Sequence, residues 1–158
     1  MSDFSLSRSI RVGAEPERVH RLVDDFREWR SWSPWEDVDP DLVREYSGPE
    51  RGVGSTYRWS GNRKAGEGTM TVSSSTPGSV VIDLVFLKPF KAANVCTFTL
   101  VAAGAATRAT EVTEVTWTMT GTRNPVMGLA GRLFVDKAIG KDFDKGLAAL
   151  KQEAERSA

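Results

Sequence analysis

The sequence predicts an α+β fold in which a strongly curved antiparallel β-sheet wraps around a long C-terminal α-helix, with two short helices after the first strand. Three observations carry this expectation. Between Leu42 and Gly121, six short segments of alternating apolar and polar residues are separated by tight turns, the pattern of an antiparallel meander. After them, Ile139, Phe143, Leu147 and Leu150 recur at spacings of four, four and three, which places them on one helix face. Before them, a strand-like stretch runs into a short amphipathic segment, and this order of elements belongs to a sheet that packs its helices on one side.

The first strand covers Phe4 to Val12, with Phe4, Leu6, Ile10 and Val12 as its apolar positions, and ends at Gly13-Ala14-Glu15-Pro16. Pro16 suits the first turn of a helix, and Glu15 and Glu17 suit its positive dipole end. Val19, Leu22, Val23 and Phe26 then supply the apolar stripe of a helix over 16–28. Trp29, Trp32 and Trp35 follow within seven positions, and Pro34 interrupts any continuing helix. Strands are expected at 42–47, 55–60, 68–75, 80–87, 93–101 and 109–121. The turns between them carry Gly48-Pro49, Gly61-Asn62, Thr76-Pro77-Gly78, Lys88-Pro89 and Ala103-Gly104. A last helix over 130–155 would be on the order of 38 Å long, enough to cross the whole sheet.

At 158 residues with 40% hydrophobic and 27% charged side chains, the chain reads as one globular domain over 1–158. A chain of this size buries roughly 70% of its unfolded surface and needs no staples. Twenty-one basic residues balance 21 acidic ones, so no overall field draws in nucleic acid, which is excluded as the main partner. The N-terminus lacks a basic region followed by an apolar one, and no apolar run approaches about 18 residues. A cytoplasmic protein with no integral membrane association is the expectation. A single histidine and a single cysteine leave too few ligands for a zinc site, and no other metal or cofactor motif is present. Any histidine-dependent triad would have to use His20, which flanks the buried stripe of the first helix and reads as a partly exposed structural residue. Cys96 alternates with Phe98 and Leu100 and reads as a small core hydrophobe. Gly61, Gly66 and Gly68 precede no Gly-Lys-Ser/Thr and belong to a hairpin, not a phosphate loop.

Strand alternation says what the sheet presents to the long helix. Tyr57 and Trp59 share one face, as do Met70 and Val72, Ile82, Leu84 and Phe86, Cys96, Phe98 and Leu100, and Val115, Trp117 and Met119. The other face is rich in threonine. One helix with Gly140 and Gly146 near its sheet-facing stripe does not cover so many large side chains, which suggests a cavity of roughly 300 Å³ or more. A dry core of interdigitated rings satisfies the same pattern. A bulky residue at Gly140 is expected to collide with strand side chains or to fill the cavity.

The same order of elements carries Trp32-Ser-Pro-Trp35-Glu, Ser47-Gly-Pro, Gly52-Val-Gly54, Tyr57-Arg-Trp59-Ser-Gly61-Asn, Gly66-Glu-Gly68, Phe86-Leu-Lys-Pro89-Phe, Thr113-Glu-Val-Thr-Trp117 and Gly140-Lys-Asp-Phe143-Asp-Lys-Gly-Leu147. With these motifs the whole chain resembles the START-like, or SRPBCC, helix-grip superfamily, in its polyketide cyclase/dehydrase branch. The superfamily contains lipid carriers, hormone receptors, aromatic polyketide cyclases and stress-response modules. The resemblance implies an apolar cavity under the long helix, and it implies no catalytic residue, because these motifs are structural glycines, prolines and tryptophans.

Arg132 and Asp136 lie 11 and seven residues before Phe143, within about 20° of its helical azimuth, and so share the inward face. They can bind a carboxylate or polarise a carbonyl at the pocket mouth, or they can overhang the sheet as a solvated pair. Glu36, Asp37, Asp39 and Asp41 read as a solvated acidic loop. Glu67, Asp83 and Glu114 read as outer-face charges, and Lys137, Lys141 and Lys145 as the wet side of the long helix.

The function expected is binding of a small hydrophobic molecule, aromatic, polyketide-like or lipid-like, between the sheet and the C-terminal helix. The ligand-lining residues are Trp35, Tyr57, Trp59, Met70, Phe86, Phe98, Trp117, Met119, Arg132 and Asp136. One alternative is a cofactor-independent cyclase or dehydratase using Arg132, Asp136 or Tyr57 as acid, base or oxyanion group. Another is a regulatory module with no tight ligand. The sequence is compatible with a monomer or a homodimer.

Overall fold

The computed structural model describes residues 3–36, 39–88, 91–107, 110–122 and 129–156. Its elements are strand β1 (Asp3–Val12), helix α1 (Pro16–Asp24), a 3-10 turn (Glu28–Ser31), strands β2 (Val43–Ser47), β3 (Thr56–Ser60), β4 (Glu67–Thr76), β5 (Ser79–Lys88), β6 (Ala92–Thr107) and β7 (Thr110–Thr122), and helix α2 (Leu129–Arg156). The seven strands form one antiparallel sheet in the order β1-β7-β6-β5-β4-β3-β2. The meander and the long helix agree with the sequence expectation. The main differences are that β6 runs on to Thr107 and that the first helix is shorter.

That helix stops at Asp24 because Asp25 is extended, at φ −117° and ψ 108°, and the chain turns back. Two tryptophans account for the stop. A helix end leaves carbonyls without intrahelical partners. Here the Trp32 indole N–H donates to the Leu22 carbonyl at 2.8 Å and the Trp29 indole N–H to the Val23 carbonyl at 2.7 Å. Both rings thereby fold back under α1, where they are buried.

A second clamp holds α1 to the sheet. Buried Asp24 pairs with Arg51 at 3.3 Å, and the Asp24 carbonyl accepts the Gly52 N–H at 3.1 Å. His20 lies 3.5 Å from Asp24 through Nδ1 and hydrogen-bonds the Ser75 hydroxyl through Nε2 at 3.0 Å. It is the partly exposed structural histidine that the helical azimuth predicts.

The two sheet faces differ as the alternation requires. The convex face carries a hydroxyl ladder between the edge strand and its neighbour, with Ser7 to Thr118 and Ser9 to Thr116 each at 2.8 Å. The concave face carries the core. Helix α2 crosses it in the same direction as β1: Gly140 faces Arg8, Lys151 donates to the Arg11 carbonyl at 3.0 Å, and Glu155 accepts the Gly13 N–H at 2.7 Å. Phe143, Leu147, Leu150 and Ala154 are its buried stripe, while Lys137, Lys141 and Lys145 are exposed. Among the described residues no helix is long and apolar enough to cross a membrane.

Candidate functional site

The concave face is organised in rows across the strands. One row runs Tyr46, Tyr57, Met70, Leu84, Asn94, Gly121 and Phe4 through all seven strands. On one side of it lies the row Trp59, Gly68 and Phe86. On the other side come Val72, Ile82, Cys96, Met119 and Leu6, and then Val80, Phe98, Trp117 and Arg8. Six of the expected ligand-lining residues, Tyr57, Trp59, Met70, Phe86, Phe98 and Trp117, therefore share this face with a seventh, Met119.

The rows are not equivalent. The Phe98 and Trp117 rings stack at 4.7 Å and are covered from above by Trp29, Trp32 and Phe143. Trp35 closes the same side, 5.5 Å from Trp117, with its indole N–H donating to Asp142 at 3.1 Å. The long helix does not cover the sheet alone, and at this end the inward rings form the dry core that alternation leaves open beside a cavity. The segment from Phe26 to Trp35 folds back from α1 and fills this part of the concave face with rings, leaving Phe98 and Trp117 wholly buried. Cys96 lies beside them, its thiol pushed up to about 12 by burial, with a smaller opposing effect of the Trp117 indole.

Toward the other end the packing loosens. Trp59, Phe86, Phe4, Leu6 and Ile139 are only partly buried against the core. Tyr57 stacks on Trp59 at 6.1 Å, and Trp59 meets Phe86 edge-on at 5.8 Å. Gly68 leaves the room that the Trp59 ring occupies, since a Cβ there would run into it. Asp136 of α2 is half-buried. Arg132 belongs to the same helix, and its side chain lies outside the described residues.

A polar cluster borders the β2–β3 side of this region. Glu36 accepts the Tyr57 hydroxyl at 3.0 Å and pairs with Arg44 at 2.9 Å and, more loosely, with Arg30 at 3.9 Å. Burial, and then the Glu36 charge, pushes the Tyr57 phenol well above its ordinary value. The same two causes raise Tyr46, whose ring lies 5.2 Å from that of Tyr57. A phenol held protonated against a carboxylate is poorly placed to act as acid or base near neutrality.

The acidic segment is accordingly not the solvated loop expected from its composition. The Glu36 side chain is 9% exposed. Asp39 is buried as well, accepting backbone N–H groups from Asp41 at 2.8 Å and Asn62 at 2.7 Å. Asp41 is exposed, and Asp37 lies outside the described residues. The two hydrogen-bonded partners of Glu36, Arg44 and Tyr57, stand eight and 21 residues away in sequence, so no local pattern announces them. Asn94 also faces inward, and its signal is local: it stands two residues before Cys96 on β6.

Gly140 and Gly146 differ in what they face. A Cβ on Gly140 would meet the Arg8 guanidinium at 2.5 Å, the mobile end of a long side chain. A Cβ on Gly146 would meet Pro34 at 2.9 Å and the Trp117 ring at 3.0 Å, both held in the core. Among the described residues, no cluster of three or more histidine, cysteine or acidic side chains could hold a metal ion.

Comparison with known proteins places this architecture. The family described as "Polyketide cyclase / dehydrase and lipid transport" matches residues 3–155. A protein from Thermus thermophilus is similar in structure at a TM-score of 0.67 and 17% identity, with 98% of this chain and 99% of that one covered. A Chromobacterium violaceum protein gives 0.66 at 13% identity over 96% of each chain. The di-domain ARO/CYC BexL from the BE-7585A biosynthetic pathway gives 0.65 at 17% identity, covering 97% of this chain and 50% of that one. No curated protein matches the chain.

Proposed function

The chain belongs to the polyketide cyclase/dehydrase and lipid transport family, and on that premise we propose that it binds a small apolar molecule, aromatic, polyketide-like or lipid-like, between the concave face of the sheet and the first half of α2. The observation that carries this reading is the unequal filling of the grip. One end is packed solid by Trp29, Trp32, Phe98, Trp117 and Phe143, while at the other Trp59, Phe86, Leu6 and Ile139 stay only partly buried. Large apolar side chains left incompletely covered inside a concave fold favour an apolar ligand, which removes their remaining surface from water.

In this reading Tyr57, Trp59, Met70, Phe86 and Met119 form the wall. Phe98 and Trp117, covered by Trp29, Trp32 and Phe143, close the packed end behind that wall, with Trp35 beside them. Arg132 and Asp136, one turn apart on α2, supply a charged rim able to hold an acidic group through the guanidinium. Commitment of the Tyr57 hydroxyl to Glu36 supports binding over acid–base catalysis, because it removes one of the three groups a cyclase or dehydratase would use.

Native mass spectrometry of the protein taken from cells, followed by displacement with an apolar fluorescent probe, tests the proposal. A retained small molecule or saturable probe uptake supports it. An empty protein that takes up no probe contradicts it.

A further inference from the structure

We propose that Asn94 is the polar contact that selects the ligand, so that the interior site prefers an aromatic compound bearing a hydroxyl or carbonyl group over the bare hydrocarbon. This rests on the interior-binding reading above and names the ligand class that reading leaves open.

Asn94 stands on β6 in the inward row, between Leu84 of β5 and Gly121 of β7. It is 8% exposed. Among the described residues its carboxamide makes no hydrogen bond. Folded proteins rarely leave such a group without a partner, which is supplied by the protein, by water or by a ligand. Three of the other buried polar side chains show the usual solution: Asp24 pairs with Arg51 through Oδ2, Asp39 caps two backbone N–H groups, and Thr113 donates to the Ala14 carbonyl at 2.8 Å.

The carboxamide is held in place without being sealed. It lies over Gly121, where a Cβ would run into the Asn94 Oδ1 atom and would also meet Phe4 at 3.0 Å, so the absence of a side chain there is what seats it. Its nitrogen and oxygen are not among the unpartnered atoms closed off by packing. A neutral amide offers one acceptor and two donors. It therefore suits a phenol, ketone or similar neutral group on an otherwise apolar ligand, and offers a hydrocarbon nothing.

The test compares naphthalene with 1-naphthol, which share a skeleton and differ by one hydroxyl, in calorimetric titrations of the wild type, Asn94→Leu and Asn94→Ala. The wild type should favour 1-naphthol by about ten-fold, the worth of one net hydrogen bond. Both variants should lose that preference while retaining naphthalene binding. A preference that survives in both variants, or both probes weakened equally, would overturn the proposal. A wild type that binds both probes equally overturns the role of Asn94 alone. A wild type that binds neither overturns the interior-binding reading as well. Near-UV circular dichroism of each variant verifies the fold, and the alanine variant guards against overpacking by leucine.

Discussion

The Phe143 ring of α2 lies flat on the Trp117 indole of β7, with centroids 4.0 Å apart and planes 6° from parallel. This contact fastens the long helix to the sheet at the point where Trp29, Trp32 and Phe98 converge on the same indole. Replacing Phe143 by alanine leaves a ring-sized void among side chains with no freedom to collapse. The expected loss is about 3–5 kcal/mol, against under about 1.5 kcal/mol for Phe143→Met. Urea unfolding measures both, and equal small losses would contradict a tightly packed end.

The two glycines on the inner side of α2 should respond oppositely. Alanine in place of glycine within a helix ordinarily stabilises by about 0.5–1 kcal/mol. At Gly140 the neighbour is the Arg8 guanidinium, which can swing away at the cost of a weak, exposed pair with Asp144. Gly140→Ala should therefore be neutral to stabilising. At Gly146 the neighbours are Pro34 and Trp117, so Gly146→Ala should lose about 1–3 kcal/mol. Thermal unfolding of the two variants side by side checks the contrast.

Strand ranges and the α2 stripe were legible because each depends on local periodicity: inward Cys96, Phe98 and Leu100 alternate, and Ile139, Phe143, Leu147 and Leu150 recur by turns. The end of α1 was not, because what stops it is the capture of the Leu22 and Val23 carbonyls by indoles ten and six residues on. Nor does composition tell that Trp29 and Trp32 occupy the concave face and so reduce the space left under the helix. At the candidate site, the inward wall was legible from alternation. The burial of Glu36 was not, since it depends on Arg44 and Tyr57 arriving from other strands.

The Glu36–Tyr57 hydrogen bond should be worth more than a neutral one because its acceptor is charged. Tyr57→Phe should lose about 1.5–3 kcal/mol. Glu36→Gln should lose more, since it also leaves the largely buried Arg44 without its counter-charge. A double-mutant cycle gives the coupling directly. Strict additivity would show that the contact contributes nothing.

The chain has two tyrosines, Tyr46 and Tyr57, and burial raises both above the ordinary value of about 10. Between that value and their folded values the unfolded chain is deprotonated and the folded chain is not. Stability is then fully present below pH of about 10 and falls as pH rises through the alkaline range. Ultraviolet titration should show tyrosinate appearing only together with unfolding. Normal ionisation of both phenols in the folded protein would contradict their burial beside Glu36.

The most direct test of the central claim is a calorimetric titration with N-phenyl-1-naphthylamine at several temperatures. The wild type, together with Val101→Lys on the exposed outer face, should show one saturable site per chain and a negative heat-capacity change, the mark of apolar surface leaving water. Phe86→Lys, which places a charge at the loosely packed inner end, should abolish binding while the protein stays folded. Absence of a saturable site in the wild type, or equal binding by Phe86→Lys, would contradict an apolar site inside the grip.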